Sequence, residues 1–199
     1  MKRYIPLSLA VAVASAGADD LPMEHVLVTV PLHKQEAETA LPVTVLSGDA
    51  LRRIASSTIG DTLNGNPGLA NASFGPGVGR PVIRGQQGAR VLVLQNSTSS
   101  GDVSGLSADH SVSVEPMLAE SIEVLRGPST LLYGGGAIGG VINVIDNRIP
   151  SAVPEETTGG IEYRYDSAAN LNGGVVKVDG GVGSWAYHLD GMYRDWGDL

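Results

Sequence analysis

The sequence predicts an α+β domain with a small mixed sheet, followed by antiparallel strands in which apolar and polar residues alternate. Two observations support this fold class. Between residues 43 and 150, short β-branched runs are interspersed with brief helical segments and glycine-rich turns. After residue 150 the runs become longer and alternate strictly, with aromatic side chains on one face. The chain therefore divides near residue 150 into two parts of different construction.

The composition limits the classes of protein to which the chain can belong. Its 199 residues are 42% hydrophobic and 17% charged, and its 27 glycines show no Gly-X-Y period, which favours turns and tight backbone packing over collagen. A formal net charge of −8 argues against a nucleic-acid-binding surface. Because the chain has no cysteine, disulfides and thiolate metal sites are excluded.

Residues 1–18 have the three parts of a secretory signal peptide. Lys2 and Arg3 form a positive start, residues 5–16 are apolar, and small residues near position 18 form a cleavage site. The alternatives are a buried helix or a membrane anchor, but the apolar stretch falls short of the roughly 20 residues that a spanning helix needs. The signal predicts export, and nicotinamide chemistry outside the cytoplasm is uncommon.

Residues 19–42 form a polar segment interrupted by prolines. The segment contains one extended, β-branched run without an evident partner strand, namely Glu24, His25, Val26, Leu27, Val28, Thr29 and Val30. A single strand in a flexible segment is suited to strand addition onto the sheet of another protein. The alternative is that this run folds onto its own domain.

The predicted domain at residues 43–150 consists of short elements. Strands are predicted at VTVLS, GRPVIRG, ARVLVLQN, SIEVLRG and GGVINVID, and brief helices at ALRRIA, TIGDTLNGNPG, VEPMLAE and PSTLLYG. Asp49 is placed to cap the first helix. A polar loop, GDVSGLSADHSVS, separates the middle strands from the third helical segment.

Residues 151–199 contain a linker and three alternating runs, GIEYRYD, GGVVKVDGGV and WAYHLDGMYRDW. In the last run the apolar face consists of Trp185, Tyr187, Leu189 and Tyr193, and the opposite face of Ala186, His188, Asp190 and Arg194. A tight turn is predicted at Gly183-Ser184. Aromatic residues on the apolar face are typical of transmembrane β-barrels, although three strands fit an ordinary antiparallel sheet equally well.

A glycine-rich stretch near residue 134 has the letter pattern of a dinucleotide-binding loop. Such a loop needs a helix directly after it, whereas here a β-branched run follows, and no lysine is present for a Walker loop. We therefore expect the glycines to allow close backbone packing and positive φ at bends. The glycines concerned are Gly127, Gly134, Gly136, Gly139 and Gly140.

The stretch SIEVLRGPSTLLYGGGAIGGVINVI, residues 121–145, closely resembles the end of the plug domain of TonB-dependent outer-membrane receptors. A signal peptide, a run similar to a TonB box at residues 24–30, an RPVIRG strand and barrel-like strands occur in the family's order. The resemblance implies a plug at residues 43–150, followed at residues 151–199 by the first antiparallel strands of an incomplete transmembrane β-barrel.

The resemblance also implies a function. Receptors of this family are gated transporters and not enzymes, and they use no cofactor. They lie in the outer membrane of Gram-negative bacteria, with the plug facing the periplasm, and TonB pairs with the box. Because family barrels close at about 22 strands, and strands need about 9–11 residues each, the chain is expected to be a fragment or a truncated product.

The polar loop that follows the middle strands resembles a substrate-binding loop of one branch of the family. DVSGLSADHS, followed by VEPMLAESIEVLRGP, most resembles the branch that imports zinc and related metals. In that branch an Asp-His pair supplies metal ligands, which places Asp109 and His110 in this role. The alternatives are an exposed loop without a ligand role, a siderophore or haem receptor, and a soluble periplasmic module that binds metal or TonB.

The resemblance assigns one further role, to two arginines. Arg84 and Arg126 lie in the IRG and LRGP motifs. In the family such arginines pair with glutamates of the barrel wall and anchor the plug, a task for which the forked guanidinium is suited. The alternative is that both are ordinary surface arginines.

Overall fold

The computed structural model describes residues 43–75, 77–146, 148–150, 152–167 and 170–196, and the backbone of residues 27–28 and 34–35. The strands are β1 (Leu27–Val28), β2 (Lys34–Gln35), β3 (Val43–Ser47), β4 (Leu69–Ser73), β5 (Gly79–Ile83), β6 (Val91–Gln95), β7 (Thr98–Ser99), β8 (Ser121–Leu125), β9 (Gly140–Ile145), β10 (Thr158–Asp166), β11 (Leu171–Val182) and β12 (Trp185–Asp195). The helices are α1 (Gly48–Ile54) and α2 (Ile59–Leu63), with 3-10 turns at Gly88–Arg90, Pro116–Leu118 and Pro128–Tyr133.

Five strands form the mixed sheet of the first domain, in the order β3-β8-β9-β6-β7. The β6–β9 pair is parallel and the other pairs are antiparallel, so the predicted small mixed sheet is confirmed. One face of its central strands packs against the two helices and a second hairpin, β4–β5. The other face packs around Leu125, Val141 and Ala137 and also contains the buried polar side chains of Glu123 and Asn143. Fully buried side chains include Ile122, Val124, Ile142 and Val144.

The strand register gives this sheet two distinct ends. At one end Ser47 pairs with Ser121, which pairs with Ile145, and we call this the Ser47 end. At the other, the Val43 end, Val43 pairs with Leu125. The chain enters β3 at the Val43 end and leaves it at the Ser47 end, where α1 begins.

The first helix begins differently from the prediction. Asp49 lies inside the first turn of α1 and forms an exposed ion pair with Arg52 at 3.5 Å, while Ser47 occupies the N-cap position without a side-chain cap. In α2, by contrast, the Thr58 hydroxyl accepts a hydrogen bond from the backbone N–H of Asp61. Gly48 has a φ of +55, and α1 starts there, two residues before the predicted start at Ala50.

Two strands of this domain, β4 and the two-residue β7, are missing from the predicted set. β4 (Leu69–Ser73) consists of Leu, Ala, Asn and Ser, which have little preference for strands apart from the leucine. It forms because it pairs along its whole length with β5. The neighbouring partner, rather than local propensity, therefore determines this element.

The second part is an antiparallel sheet in the order β10-β11-β12, which does not close into a barrel within the described residues. The predicted alternation and the Gly183-Ser184 turn are confirmed. Tyr163, Leu189 and Tyr193 are mostly exposed. The opposite face of the sheet turns toward the mixed sheet, so the chain is a plug followed by the first antiparallel strands of a barrel.

The N-terminal segment is described only in part. The sequence predicted no partner for the run at residues 24–30, whereas the structure pairs Leu27 with Gln35 and Val28 with Lys34 in a short antiparallel ladder. The other five residues of that run and the expected signal peptide at residues 1–18 lie outside the described residues.

Neither helix in the described part of the chain has the length and apolar character that crossing a membrane requires.

Candidate functional site: an exposed loop and a charged seam

The two predicted metal ligands are adjacent and exposed on the loop that follows β7. Asp109 Oδ1 lies 2.9 Å from His110 Nδ1, and the hydroxyl of Ser107 donates a hydrogen bond to the same carboxylate. The hydrogen bond from Ser107, with smaller contributions from the backbone N–H of Asp109 and from His110, lowers the pKa of the Asp109 carboxyl. The carboxylate is therefore charged at neutral pH, as metal coordination requires.

Two donors do not make a metal site. In the residues that the structure describes, no group of three or more His, Cys, Asp or Glu side chains is placed to hold a metal ion. Zinc usually takes three or four protein ligands. Asp109 and His110 therefore supply part of a coordination sphere at most, and further donors have to come from the cargo itself or from outside the described residues.

Asp102, which the sequence reasoning missed, organises this loop. Its carboxylate accepts hydrogen bonds from the Ser104 hydroxyl at 2.5 Å, the Ser104 and Ser113 backbone N–H groups at 2.9 Å, and the Ser100 hydroxyl at 2.9 Å. Burial alone would raise the pKa of Asp102, but these four bonds outweigh it and lower the pKa. The Ser-x-Asp-x-Ser spacing of residues 100–104 is a turn signal from which the role of Asp102 could have been predicted.

Arg80, on β5, attaches the same loop to the rest of the plug. Its Nη1 lies 3.4 Å from the carbonyl oxygens of both Ser104 and Ser107. These are long hydrogen bonds. Their acceptors belong to Ser104 and Ser107, and the hydroxyl groups of these serines bond the carboxylates of Asp102 and Asp109. The exposed donor pair is thus carried by a loop that is fixed from two sides.

The two predicted anchoring arginines have different surroundings. Arg84 is exposed in the left-handed region, with a φ of +49, and its backbone N–H donates to the Gly68 carbonyl at 3.0 Å. Arg126 donates from Nη1 to the Pro67 carbonyl at 2.8 Å and from Nη2 to the Thr44 hydroxyl. Its Nε is buried without an acceptor in the described residues. Pairing of either arginine with a barrel glutamate stays a prediction.

The predicted packing glycines fall into three groups. A Cβ at Gly139 would lie 2.6 Å from Gln86 Cβ, and one at Gly140 would lie 2.5 Å from Ile83 Cδ1 and 2.8 Å from the Leu125 carbonyl. Gly127 and Gly134 have positive φ, which side chains other than glycine rarely adopt. At Gly136 the nearest atom would be 3.6 Å away, so no close approach exists there. A strand begins at Gly140, which agrees with the rejection of a dinucleotide loop.

A seam of charged groups joins the plug to the three-stranded sheet, and the sequence reasoning missed its pairings. On β10, Arg164 donates hydrogen bonds to the carbonyls of Arg52 and Ala55 at the end of α1, and to the carboxylate of Glu162. The C-terminus of a helix presents unpaired carbonyl oxygens and attracts cations. Arg164 therefore closes the end of α1 from the neighbouring sheet.

The other two strands contact the segment before β8. Lys177 on β11 forms an ion pair with Glu120, and Arg194 on β12 forms one with Glu115. The Glu115 and Arg194 side chains are only 12% and 14% exposed. Burial raises the pKa of Glu115, and this effect exceeds the opposing influence of the Met117 backbone N–H and of Arg194. Glu115 can therefore form an ion pair with Arg194 and still have a raised pKa, because the cost of desolvating its carboxylate exceeds the attraction of the guanidinium.

The segment after β9 contacts the same sheet with the opposite polarity. Arg148 donates from Nε and Nη2 to the two carboxylate oxygens of Asp190 on β12, at 3.0 and 3.2 Å, and lies 3.5 Å from Asp146. Burial would raise the pKa of Asp146, but hydrogen bonds led by that from Asn96 lower it. This bidentate pair fixes the exit of the plug against β12.

Comparison with known proteins identifies the first domain. Residues 35–141 match the family model described as TonB-dependent Receptor Plug Domain. A siderophore receptor, PirA from Acinetobacter baumannii, is similar with 27% identity and a TM-score of 0.60, over 77% of this chain and 24% of that one. A mutant of the ferric enterobactin receptor PfeA from Pseudomonas aeruginosa has 22% identity and a TM-score of 0.60, over 80% and 25%.

A third structure, described as the copper transporter OprC, is similar with 23% identity and a TM-score of 0.55, over 69% of this chain and 21% of that one. The chain thus spans about a quarter of the length of these proteins. At such identities the similarity to PfeA and OprC shows the fold alone.

Proposed function

The chain belongs to the TonB-dependent receptor plug domain family, and from that premise we propose that it forms the plug and first barrel strands of an outer-membrane receptor for active uptake. The observation that carries the proposal is a mixed-sheet plug held against the polar face of strands whose apolar face is exposed. That arrangement is typical of a β-barrel wall with apolar groups toward lipid. The role is gated transport rather than catalysis.

The proposed cargo is a metal ion, with zinc preferred, and the support comes from the loop. Asp109 and His110 offer a charged carboxylate oxygen and an imidazole nitrogen side by side on an exposed surface. Both are ordinary zinc donors. The loop that carries them is fixed by Asp102 and Arg80, so these donors have a defined position.

A metal chelate is the second candidate, because PirA, at 27% identity, is described as a siderophore receptor. A chelator already fills the coordination sphere of its metal, so the plug would need to offer only hydrogen bonds. The two-donor arrangement of Asp109 and His110 is compatible with that lesser demand. The substrate test must therefore compare the bare ion with a chelate.

Calorimetric titration of the purified 199-residue chain with Zn²⁺ and with a ferric catecholate siderophore separates the two cargoes. The proposal predicts zinc binding that the Asp109→Ala/His110→Ala variant weakens by about tenfold or more, roughly the effect of losing a metal ligand contact. A matched control, Glu155→Ala/Glu156→Ala, removes two exposed linker carboxylates. Equal zinc affinity in all three proteins, or siderophore binding without zinc binding, contradicts the zinc assignment.

We further propose that residues 24–30 are the TonB box and bind TonB by strand addition. The described part of this run, Leu27–Val28, is already extended and pairs through its backbone. Because strand addition uses main-chain hydrogen bonds, Val28→Pro should abolish capture by the C-terminal domain of TonB in a pull-down, whereas Val28→Ala should retain it. Retained capture by the proline variant refutes the assignment.

The proposed location is the outer membrane of a Gram-negative bacterium, with the plug toward the periplasm, after removal of the signal peptide at residues 1–18. Cell fractionation and N-terminal sequencing test this proposal. Recovery of the processed chain in the soluble periplasm would instead favour a binding module.

A further inference from the structure

We propose that Asn64 is a modification site, at which the side chain loses its amide group by cyclising onto the backbone nitrogen of Gly65. The chain contains two Asn-Gly sequences, Asn64-Gly65 and Asn172-Gly173. Such sequences are open to this reaction because glycine has no side chain to keep its backbone nitrogen away from the asparagine amide. The surroundings of the two sites differ, and this difference assigns the reaction to Asn64. Neither the transported substrate nor TonB takes part in it.

The Asn64-Gly65 peptide lies in the exposed turn that connects α2 to β4. Within the described residues, the Asn64 carboxamide and the Gly65 backbone N–H have no hydrogen-bond partner. Gly65 has a φ of +89, and no atom lies within 4 Å of the position that a Cβ would take. Attack requires rotation about ψ of Asn64, which is 139°, and opening of two hydrogen bonds from Asn66 to the Leu63 carbonyl, at 3.0 and 3.2 Å. A turn held by so few bonds opens at low cost.

The Asn172-Gly173 peptide, by contrast, is held on both sides. It lies in β11, the central strand of its sheet, so its backbone is paired with both neighbouring strands. The Asn172 carboxamide also accepts a hydrogen bond from the Tyr163 hydroxyl at 2.7 Å, and Gly173 is buried. Cyclisation there would require the ladder to break. The same two-residue sequence is therefore reactive in the turn and protected in the strand.

The reaction needs no reactant other than water. The Gly65 nitrogen gives its proton to solvent and forms a bond to Cγ of Asn64. The bond between Cγ and Nδ2 breaks, and this nitrogen takes a proton from solvent and leaves as ammonia. Water then adds to either carbonyl of the cyclic imide. One product is aspartate, and the other is isoaspartate, in which the main chain passes through the former side chain and is longer by a methylene group.

The products change a connection on which other contacts depend. Both place a carboxylate at the C-terminal end of α2, where negative charge is unfavourable, and isoaspartate also lengthens the connection to β4. In this connection the Pro67 carbonyl accepts a hydrogen bond from Arg126 Nη1 at 2.8 Å. The Gly68 carbonyl accepts one from the backbone N–H of Arg84 at 3.0 Å. The modification therefore loosens contacts of both arginines that the resemblance identifies as anchors.

Peptide mapping by mass spectrometry on the full 199-residue chain tests the site. The protein is incubated at mildly alkaline pH in detergent, where protection of the β9 amides from hydrogen exchange verifies that it is folded. We expect Asn64 to lose its amide at least about tenfold faster than Asn172 in the same sample, because β11 must open before Asn172 can cyclise. In urea the two rates should agree to within about threefold, since neither site is then structured. Equal rates in the folded chain, or faster loss at Asn172, overturn the proposal.

The effect on the arginine contacts is measured on chains modified at Asn64, which ion exchange separates by their added negative charge. Hydrogen exchange at the Arg84 backbone amide should accelerate by about tenfold or more in the isoaspartate form. Asn64→Asp carries the charge without the added methylene group and should have a smaller effect. Asn64→Gln is the matched control, because its longer side chain cyclises far more slowly, and it should retain both its amide and the original exchange rate. Unchanged exchange at Arg84 in the isoaspartate form would contradict the proposed effect.

Discussion

The plug sheet and the three-stranded sheet use similar residues in opposite ways. In the plug sheet, Val124 and Ile142 are fully buried, and even the polar side chains of Glu123 and Asn143 lie inside. In the three-stranded sheet, Ile161 and Leu189 are 86% and 67% exposed, while charged residues face the plug. Most apolar side chains therefore lie inside one sheet and outside the other, although Leu171 and Val175 of β11 are buried.

The difference shows that alternation alone defines two faces but does not determine which face is the interior. A large exposed apolar face is rare on proteins surrounded by water and marks contact with another apolar medium. The inward polar face is explained by its partners, since Arg164, Lys177 and Arg194 each meet an acceptor on the plug. Four predictions test this contrast between an apolar interior and a charged seam.

The largest effect is expected at the seam, where Arg194→Met would leave the Glu115 carboxylate buried without its cation. Breaking a buried pair in this way costs about 3 kcal/mol or more. Glu115→Gln leaves the Arg194 guanidinium, which is 14% exposed, without its carboxylate, so a loss of similar size is expected there. The free energies of unfolding by urea, followed by Trp fluorescence of β12, measure both.

The pH dependence of folding stability gives a second test of the Glu115–Arg194 pair. Because the pKa of Glu115 is raised from 4.5, this group favours the folded state below its ordinary pKa, and that contribution is lost as pH rises through the folded-state value. The Arg194→Met penalty should therefore shrink in acid. A penalty that grows toward low pH contradicts this account of the seam.

Sequence alone predicted most of the plug strands because their β-branched runs are locally distinctive. It missed β4, whose Ala, Asn and Ser residues form a strand only through pairing with β5. It also placed Asp49 at a cap, whereas the left-handed Gly48 starts α1 earlier. These differences arise where a tertiary partner or a single backbone angle decides the structure.

The site was predictable to a similar degree. An adjacent Asp-His pair on a polar loop can be read directly, and the structure places both residues on an exposed surface. The seam contacts between the plug and the three-stranded sheet join residues 42 to 112 positions apart in the chain, so no local pattern connects them. The alternation indicated that Arg194 lies on the polar face, but it did not indicate that Arg194 forms an ion pair with Glu115.

In the plug interior the next largest effect is expected at Gly140. A methyl group there would lie 2.5 Å from Ile83 Cδ1 and 2.8 Å from the Leu125 carbonyl, so Gly140→Ala should destabilise the plug by about 1–3 kcal/mol through overpacking. Gly135→Ala is the matched control, since no atom lies within 4 Å of its added Cβ. Hydrogen exchange of β8 and β9 amides measures the difference. Equal behaviour of the two variants would show that close approach is unimportant.

A smaller and more local effect is expected in the loop that carries Asp109 and His110. Asp102→Ala removes four hydrogen bonds and should release the loop, at a cost of about 1–3 kcal/mol, without unfolding the sheet. The lowered pKa means that Asp102 stabilises the loop above its ordinary value of 3.8, and that this stability is lost as pH falls through the folded-state value.

The rate of proteolysis of residues 100–113, measured with an acid-stable protease, checks this prediction. The pH is varied over about 2–7, the range in which carboxylates titrate. The loop of the original chain should become sensitive only at the acid end, whereas the Asp102→Ala loop should be sensitive throughout. Asp109→Ala is the control, because its carboxylate bonds only nearby loop residues. Acid resistance of the original loop would contradict the role of Asp102.

The orientation of the three-stranded sheet is tested most directly by nitroxide labels on single cysteines, which the absence of native cysteine allows. Labels at Tyr163→Cys and Leu189→Cys face away from the plug, and one at Val175→Cys faces it. With the chain in lipid vesicles, we predict that oxygen dissolved in the lipid increases the spin relaxation rate of the first two labels, whereas a water-soluble nickel chelate does not. Lipid oxygen should have no such effect on the third label. Strong chelate access at both outward positions, with lipid contact at Val175→Cys, would contradict the proposed membrane-facing strands.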